Sequence, residues 1–201
     1  MTKITIDQTY LDWPFFEEHH RKLASDLEKW CHHNLSDCHD HSDIDQACKN
    51  ILAKLAQGGW LKYVVPKAYG GIFDELDVRS LCLIRETLAR HNGLADFIFA
   101  MQGLGSGTIT RVGNDESKSA YLPDVASGKK MAAFALTELD SGSDVANMTS
   151  AATDHGDHYL VNGAKTYISN GGIADYYVLF VRTGEGAGAK GLSAMIIDAD
   201  T

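Results

Sequence analysis

The hydrophobic period of this chain changes once, at Lys130, and that change limits the fold more than any other feature. Before it, apolar residues recur at three- and four-residue spacing. After it, they alternate in short runs separated by turn residues. Helices first and strands second is the α+β order. It predicts an N-terminal all-helical bundle within residues 1–128 and a mostly antiparallel β domain over 129–201.

Residues 1–13 read as a frayed start. A first helix is expected from Pro14 to about Asn34, with Leu23, Leu27, Trp30 and Cys31 on one face and Asp12 and Pro14 at its start. The second has the clearest stripe, Ile44, Ala47, Cys48, Ile51, Leu52 and Leu55, with Ser42 as its cap and Gly58-Gly59 as its stop. Trp60 to Pro66 reads as extended. A third helix, Asp77–Arg90, carries Val78, Leu81, Cys82, Ile84, Arg85 and Leu88 as its buried face. A fourth covers 95–111, and a short fifth follows Asn114 and ends near Pro123 to Gly128. Strands are expected at about 131–137, 149–154, 158–161, 164–169, 176–183 and 192–198. His155-Gly-Asp157 and Asn162-Gly163 are read as hairpin turns. Residues 184–191 form a glycine-rich loop.

Several functional classes are excluded or left without support. A formal net charge of −9 argues against non-specific nucleic-acid binding. No apolar run approaches the ~18 residues of a membrane span. The start of the chain has neither the apolar stretch of a signal peptide nor an Arg-rich transit segment. With four scattered cysteines, this makes a cytoplasmic setting the expectation. Residues 31–41, Cys-His-His-Asn-Leu-Ser-Asp-Cys-His-Asp-His, are rich in zinc-ligand types, but their spacing matches no standard finger, so no metal site is assigned. Gly103-Leu-Gly-Ser-Gly107 lacks the Lys of a phosphate loop and reads as a place of close packing. Neither Ser106 nor Ser143 sits in a hydrolase elbow.

Two segments carry chemistry. One is Phe134-Ala-Leu-Thr-Glu138-Leu-Asp-Ser-Gly142-Ser-Asp144, an apolar run ending in a turn whose N–H groups can face an anion. The other is Asn162-Gly-Ala-Lys165-Thr-Tyr-Ile-Ser169-Asn-Gly-Gly172. Hydroxyls on Thr137, Ser143 and Ser169 beside Phe134 and Tyr167 suit a flat ring with apolar faces and polar edges. In order and spacing the two resemble the paired signature of the acyl-CoA dehydrogenase family, "A-L-T-E-P-x-A-G-S-D" and "N-G-x-K-x-W-I-T-N-G". Val65-Pro-Lys-Ala-Tyr69-Gly-Gly71 resembles the family's "V-P-x-x-Y-G-G". Leu139 stands where the family has Pro, Asp140-Ser141 replaces a small pair, Tyr167 replaces Trp and Ser169 replaces Thr.

The resemblance implies FAD as cofactor and α,β-dehydrogenation of an acyl-CoA, with hydride passing to the flavin. Carried over residue by residue, Phe134, Leu136, Thr137, Gly142, Ser143, Tyr167, Ile168 and Ser169 would contact the cofactor. Ser143 would also meet the substrate, and Ser169 would donate towards the flavin N5. The proton-abstracting Glu of the family belongs to a C-terminal helical domain, so no residue here is assigned as catalytic. The resemblance further implies fatty acid metabolism, an electron-transfer flavoprotein or similar acceptor, and a homotetramer when complete. Two alternatives remain open. One is a flavin monooxygenase or nitroalkane oxidase-like enzyme on the same fold; the other is a truncated, non-catalytic chain.

Overall fold

The structure is a computed structural model, and it describes residues 7–36, 38, 42–184 and 186–201. Five α-helices precede five strands: α1 Glu18–Asn34, α2 Ile44–Gln57, α3 Val78–His91, α4 Gly93–Val112, α5 Asp115–Ala126, then β1 Ala132–Ala135, β2 Ala151–Asp154, β3 Tyr159–Asn162, β4 Tyr176–Arg182 and β5 Leu192–Asp198. The class is α+β, as the change of period predicts.

Local chemistry moves several boundaries. α1 starts at Glu18, not Pro14, because Pro14 lies in a turn closed by the Phe16 N–H on the Trp13 carbonyl at 3.1 Å. The stretch before it is not frayed throughout, since Thr9–Asp12 forms a 3-10 turn and Leu11 is buried. α2 is capped by Asp43 rather than Ser42, its carboxylate accepting the Gln46 N–H at 2.9 Å. Trp60–Val64 is a 3-10 turn, not an extended run. Gly59, at φ 77°, redirects the chain so that Trp60, Leu61 and Val64 all enter the core. α3 buries Ser80, Leu83, Ile84, Thr87 and Leu88, while Val78 is 67% exposed and Cys82 and Arg85 face outward. Two of those inner residues are hydroxyls, which an apolar count overlooks. α5 runs through Pro123 to Ala126.

The helices pack around α4, which touches α2, α3 and α5 and lies on β1. Gly105 permits that last contact: a Cβ there would stand 2.5 Å from the Ala132 Cβ. The Gln102 amide sews the same junction. Its Nε2 donates to the Lys130 carbonyl at 2.9 Å, and its Oε1 accepts the Ala132 N–H at 2.7 Å. The glycine-rich centre of α4 is thus a packing surface, as its sequence suggests. Leu27, Ile51, Leu55, Leu61, Ile84, Leu88, Ile98 and Phe99 form the buried centre.

β4 is the spine of the sheet. β5 pairs antiparallel along its whole length, and β2 pairs antiparallel with β3 from end to end. The parallel contacts are shorter: β1 against Tyr176–Leu179, and a single β2 pair at Arg182. The expected strand at 164–169 does not form. Tyr167 and Asn170 adopt positive φ of 55° and 61°, and the segment becomes an irregular arm. Nor is Asn162-Gly163 a hairpin turn. Gly163 is required because a Cβ would fall 2.2 Å from Ser150 Oγ. His155–His158 does close a hairpin, between β2 and β3, by a 2.9 Å backbone bond.

Of the Cys31–His41 segment, residues 37 and 39–41 lie outside the described residues. Cys31 faces the core, and burial pushes its thiol up to about 12.

Candidate flavin-facing site

The end of β1 and the arm after β3 meet at one buried carboxylate. Glu138 turns inward from the loop after β1, where its own N–H and carbonyl close a small bridge with Ser141 at 3.0 and 3.3 Å. One carboxylate oxygen accepts the Thr149 N–H at 2.7 Å and its hydroxyl at 2.9 Å. The other accepts the Ser150 N–H and the Lys165 ammonium, both at 2.9 Å. Burial pushes the Glu138 pKa up. The bonds from Ser150, Thr149 and Lys165 outweigh it and hold the group well below the usual carboxylate range. Because Glu138 claims the N–H groups of residues 149 and 150, β2 begins at Ala151 rather than 149.

Lys165 is the other half of the joint. Its ammonium also donates to the Leu136 carbonyl at 3.0 Å, fixing the arm to the end of β1. One residue further on, the Thr166 N–H donates to the Thr137 carbonyl at 2.9 Å. The two sequence motifs are therefore in direct contact, through Leu136–Glu138 on one side and Lys165–Thr166 on the other. Asn170, buried at the end of the arm, anchors it again by donating to the Ala132 carbonyl at 2.9 Å. Behind the loop, Arg182 donates to the Met148 carbonyl at 2.8 Å and also to that of Ala146.

On this frame the predicted residues fall into four groups. Thr137 and Ser169 are half-buried, flanking the joint, and Tyr167 projects from it with 85% of its surface exposed. Phe134 packs its ring on Phe180, centroids 5.0 Å apart, and Leu136 is half-buried beyond it. Gly142 and Ser143 stand on the exposed far side of the loop, and a Cβ on Gly142 would meet nothing within 4 Å. Ile168 is placed differently. Its side chain lines a cleft of about 450 Å³ with Ile44, Cys48, Leu94, Phe97 and Ile173, between the arm and the first turns of α2 and α4.

The donor set suits a planar, heteroatom-rich ligand. Among the described residues, the hydroxyls of Thr137, Ser143, Tyr167 and Ser169 take part in no hydrogen bond, nor do the N–H groups of Gly142 and Ser143. Thr137 and Ser169 keep free donors even though both are half-buried. Sequence reading missed the parts that hold these groups in place: Glu138 with Lys165, Gln102, Asn170 and Arg182. A Glu and a Lys set inside otherwise apolar or hydroxyl-bearing segments were the available signal.

The family pattern described as acyl-CoA dehydrogenase, N-terminal domain, matches residues 17–129, and that described as acyl-CoA dehydrogenase, middle domain, matches 133–201. This chain belongs to the acyl-CoA dehydrogenase family. It is 35% identical over 192 residues to a 3-(aryl)acrylate reductase of Clostridium sporogenes, covering 92% of this chain and 49% of that protein. Among solved structures, the glutaryl-CoA dehydrogenase glutaryl-CoA complex superposes with a TM-score of 0.82 at 29% identity, over 92% of this chain and 48% of that one. An acyl-CoA dehydrogenase from Bacillus anthracis complexed with FAD gives 0.77 at 32% identity, over 92% and 32%. The chain thus spans less than half the length of curated relatives it matches. As in its sequence, the acyl-CoA dehydrogenase motifs lie at β1 and in the arm. Among the described residues no helix is long and apolar enough to cross a membrane.

Proposed function

We propose that residues 1–128 and 129–201 are the helical and flavin-facing β domains of an FAD-dependent acyl-CoA dehydrogenase acting on an acyl-CoA thioester. One observation carries this reading. The joint at Thr137 and Thr166 carries an exposed aromatic, Tyr167, together with two half-buried hydroxyls, Thr137 and Ser169, that form no hydrogen bond among the described residues. FAD, when bound, supplies the hydride acceptor. Phe134, Leu136 and Tyr167 would give it apolar contact. Thr137, Ser169 and the N–H groups of Gly142, Ser143 and Ile168 would give it polar edges, and Ser143 would also reach the substrate. Glu138 is not a base on this reading, because both its oxygens are engaged in holding the loop. The same reading carries an electron-transfer flavoprotein or similar acceptor, and a homo-oligomer.

A second reading keeps the site and reverses the reaction: hydride leaves the reduced flavin for an α,β-unsaturated substrate. The similarity to a reductase that acts on acrylates favours it.

FAD titration, followed by quenching of flavin fluorescence, tests the site. Two hydrogen bonds at about 0.5–1.5 kcal/mol each predict that Thr137→Ala with Ser169→Ala weakens binding by about 5- to 150-fold. Binding as tight as wild type would remove these residues from the site. With a C-terminal helical domain supplying the base that the family uses, bleaching of bound flavin by saturated thioesters supports dehydrogenation. Reoxidation of reduced flavin by unsaturated substrates alone supports the second reading.

A further inference from the structure

Among the described residues, three metal-ligating side chains meet in two places, and neither cluster includes Glu138 or Lys165. The first is His19, His20 and Asp77. There the buried His20 Nδ1 accepts the Glu17 N–H at 3.0 Å, so the ring proton resides on Nε2 and is donated to Asp77 at 2.7 Å. An ion would have to strip that proton from an imidazole whose other nitrogen is already engaged. Asp77 is occupied too, taking the Ser80 hydroxyl at 2.8 Å while capping α3. This cluster is a closed hydrogen-bond network.

The second cluster is open. Glu28 and His32 stand one turn apart on α1, on the same face, and His91 reaches them from the last position of α3. Glu28 Oε1 lies 3.0 Å from His91 Nε2 and 3.4 Å from His32 Nε2. The three atoms all fall within 4.8 Å of one another. Zinc bonds of about 2.0–2.1 Å in a tetrahedron place ligand atoms roughly 3.3–3.4 Å apart, so two edges are already near that length.

The chemistry of each donor agrees. Among the described residues no hydrogen bond engages Nδ1 of His32 or of His91, so each ring can carry its proton there and offer Nε2 to an ion. Arg90 occupies only Oε2, at 3.0 Å, orienting the carboxylate and leaving Oε1 to the cluster. His32 is exposed, so water can complete the coordination.

We propose that Glu28, His32 and His91 bind a zinc-type divalent ion that clamps α1 to the end of α3. Two imidazoles and one carboxylate, the latter partly neutralised by Arg90, favour zinc over magnesium or calcium, which prefer several oxygens. On binding, the His91 proton moves from Nε2 to Nδ1. The site shares only His32 with the Cys31–His41 segment, and no spacing along the chain foretells it.

The test is calorimetric titration of the untagged chain with zinc, with cobalt(II) absorption as the reporter of geometry. One zinc per chain is expected, with tetrahedral cobalt bands, a higher melting temperature and no competition from magnesium. His32→Gln and His91→Gln should each weaken zinc binding about 100-fold, at least matching the loss of an outer-sphere partner. His32 is exposed, so its variant keeps the fold, which circular dichroism checks. His33→Gln, on the same helix, and His41→Gln should bind as wild type. Absence of uptake, uptake unchanged in His32→Gln and His91→Gln, or uptake abolished by His41→Gln would overturn the proposal.

Discussion

Replacing Lys165 by Met tests how the joint between β1 and the arm is held. Lys165 and Glu138 form an ion pair whose side chains are only 8% and 7% exposed. Met fills much of the volume but leaves the carboxylate buried without its cation and removes a donor from the Leu136 carbonyl. Breaking a buried pair on one side costs about 3–5 kcal/mol. Three donors remain on Glu138, the Thr149 N–H and hydroxyl and the Ser150 N–H, which places the expectation at the low end, about 3 kcal/mol. For a chain of this size that is a fall of about 6–12 °C in Tm. The sign with pH follows from Glu138, whose folded-state pKa is depressed. Its contribution is fully present above the unfolded value of about 4.3 and is lost as pH falls below that towards the folded value. Lys165→Met should therefore lower Tm near neutral pH and matter less in acid. The assay is thermal and urea unfolding of Lys165→Met, Glu138→Gln and the double variant. In contact, the two should couple by about 1–3 kcal/mol, so the double variant loses less than the two losses added together. Strict additivity, or a Tm for Lys165→Met within a degree or so of wild type, would refute the reasoning.

Other substitutions probe the junctions on either side. Gly105→Ala should destabilise by about 1–3 kcal/mol in urea unfolding, because its Cβ would enter the space of the Ala132 Cβ. Gln102→Leu strands the Ala132 N–H and the Lys130 carbonyl and should cost about 2–3 kcal/mol, with faster hydrogen exchange at Ala132. Tyr167→Ala should leave stability within about 0.5 kcal/mol, since the ring is exposed, while weakening FAD binding.

The change of period at Lys130 made the order of helices and strands legible, and α2 and α4 lie within a few residues of where their apolar spacing puts them. What stayed hidden depended on tertiary contact. The inner face of α3 includes Ser80 and Thr87, whose hydroxyls an apolar count passes over. The arm 164–169 alternates like a strand, yet Lys165 is drawn inward to Glu138, and the left-handed turns at Tyr167 and Asn170 break the ladder. At the candidate site, hydroxyls and aromatics were legible because the motifs are long. The supports were not, since Glu138, Lys165 and Gln102 find their partners across the fold. The cluster of Glu28, His32 and His91 was hidden for the same reason.

Amide chemical shifts of the chain during titration with FAD report whether the joint between β1 and the arm meets the flavin. Saturable shifts are expected to concentrate at Thr137, Gly142, Ser143 and 167–169, with Glu138 and Thr149 shifting less because their bonds to each other persist. Shifts that leave these residues unmoved and gather instead between α5 and β5, around Asn114 and Met195, would contradict it.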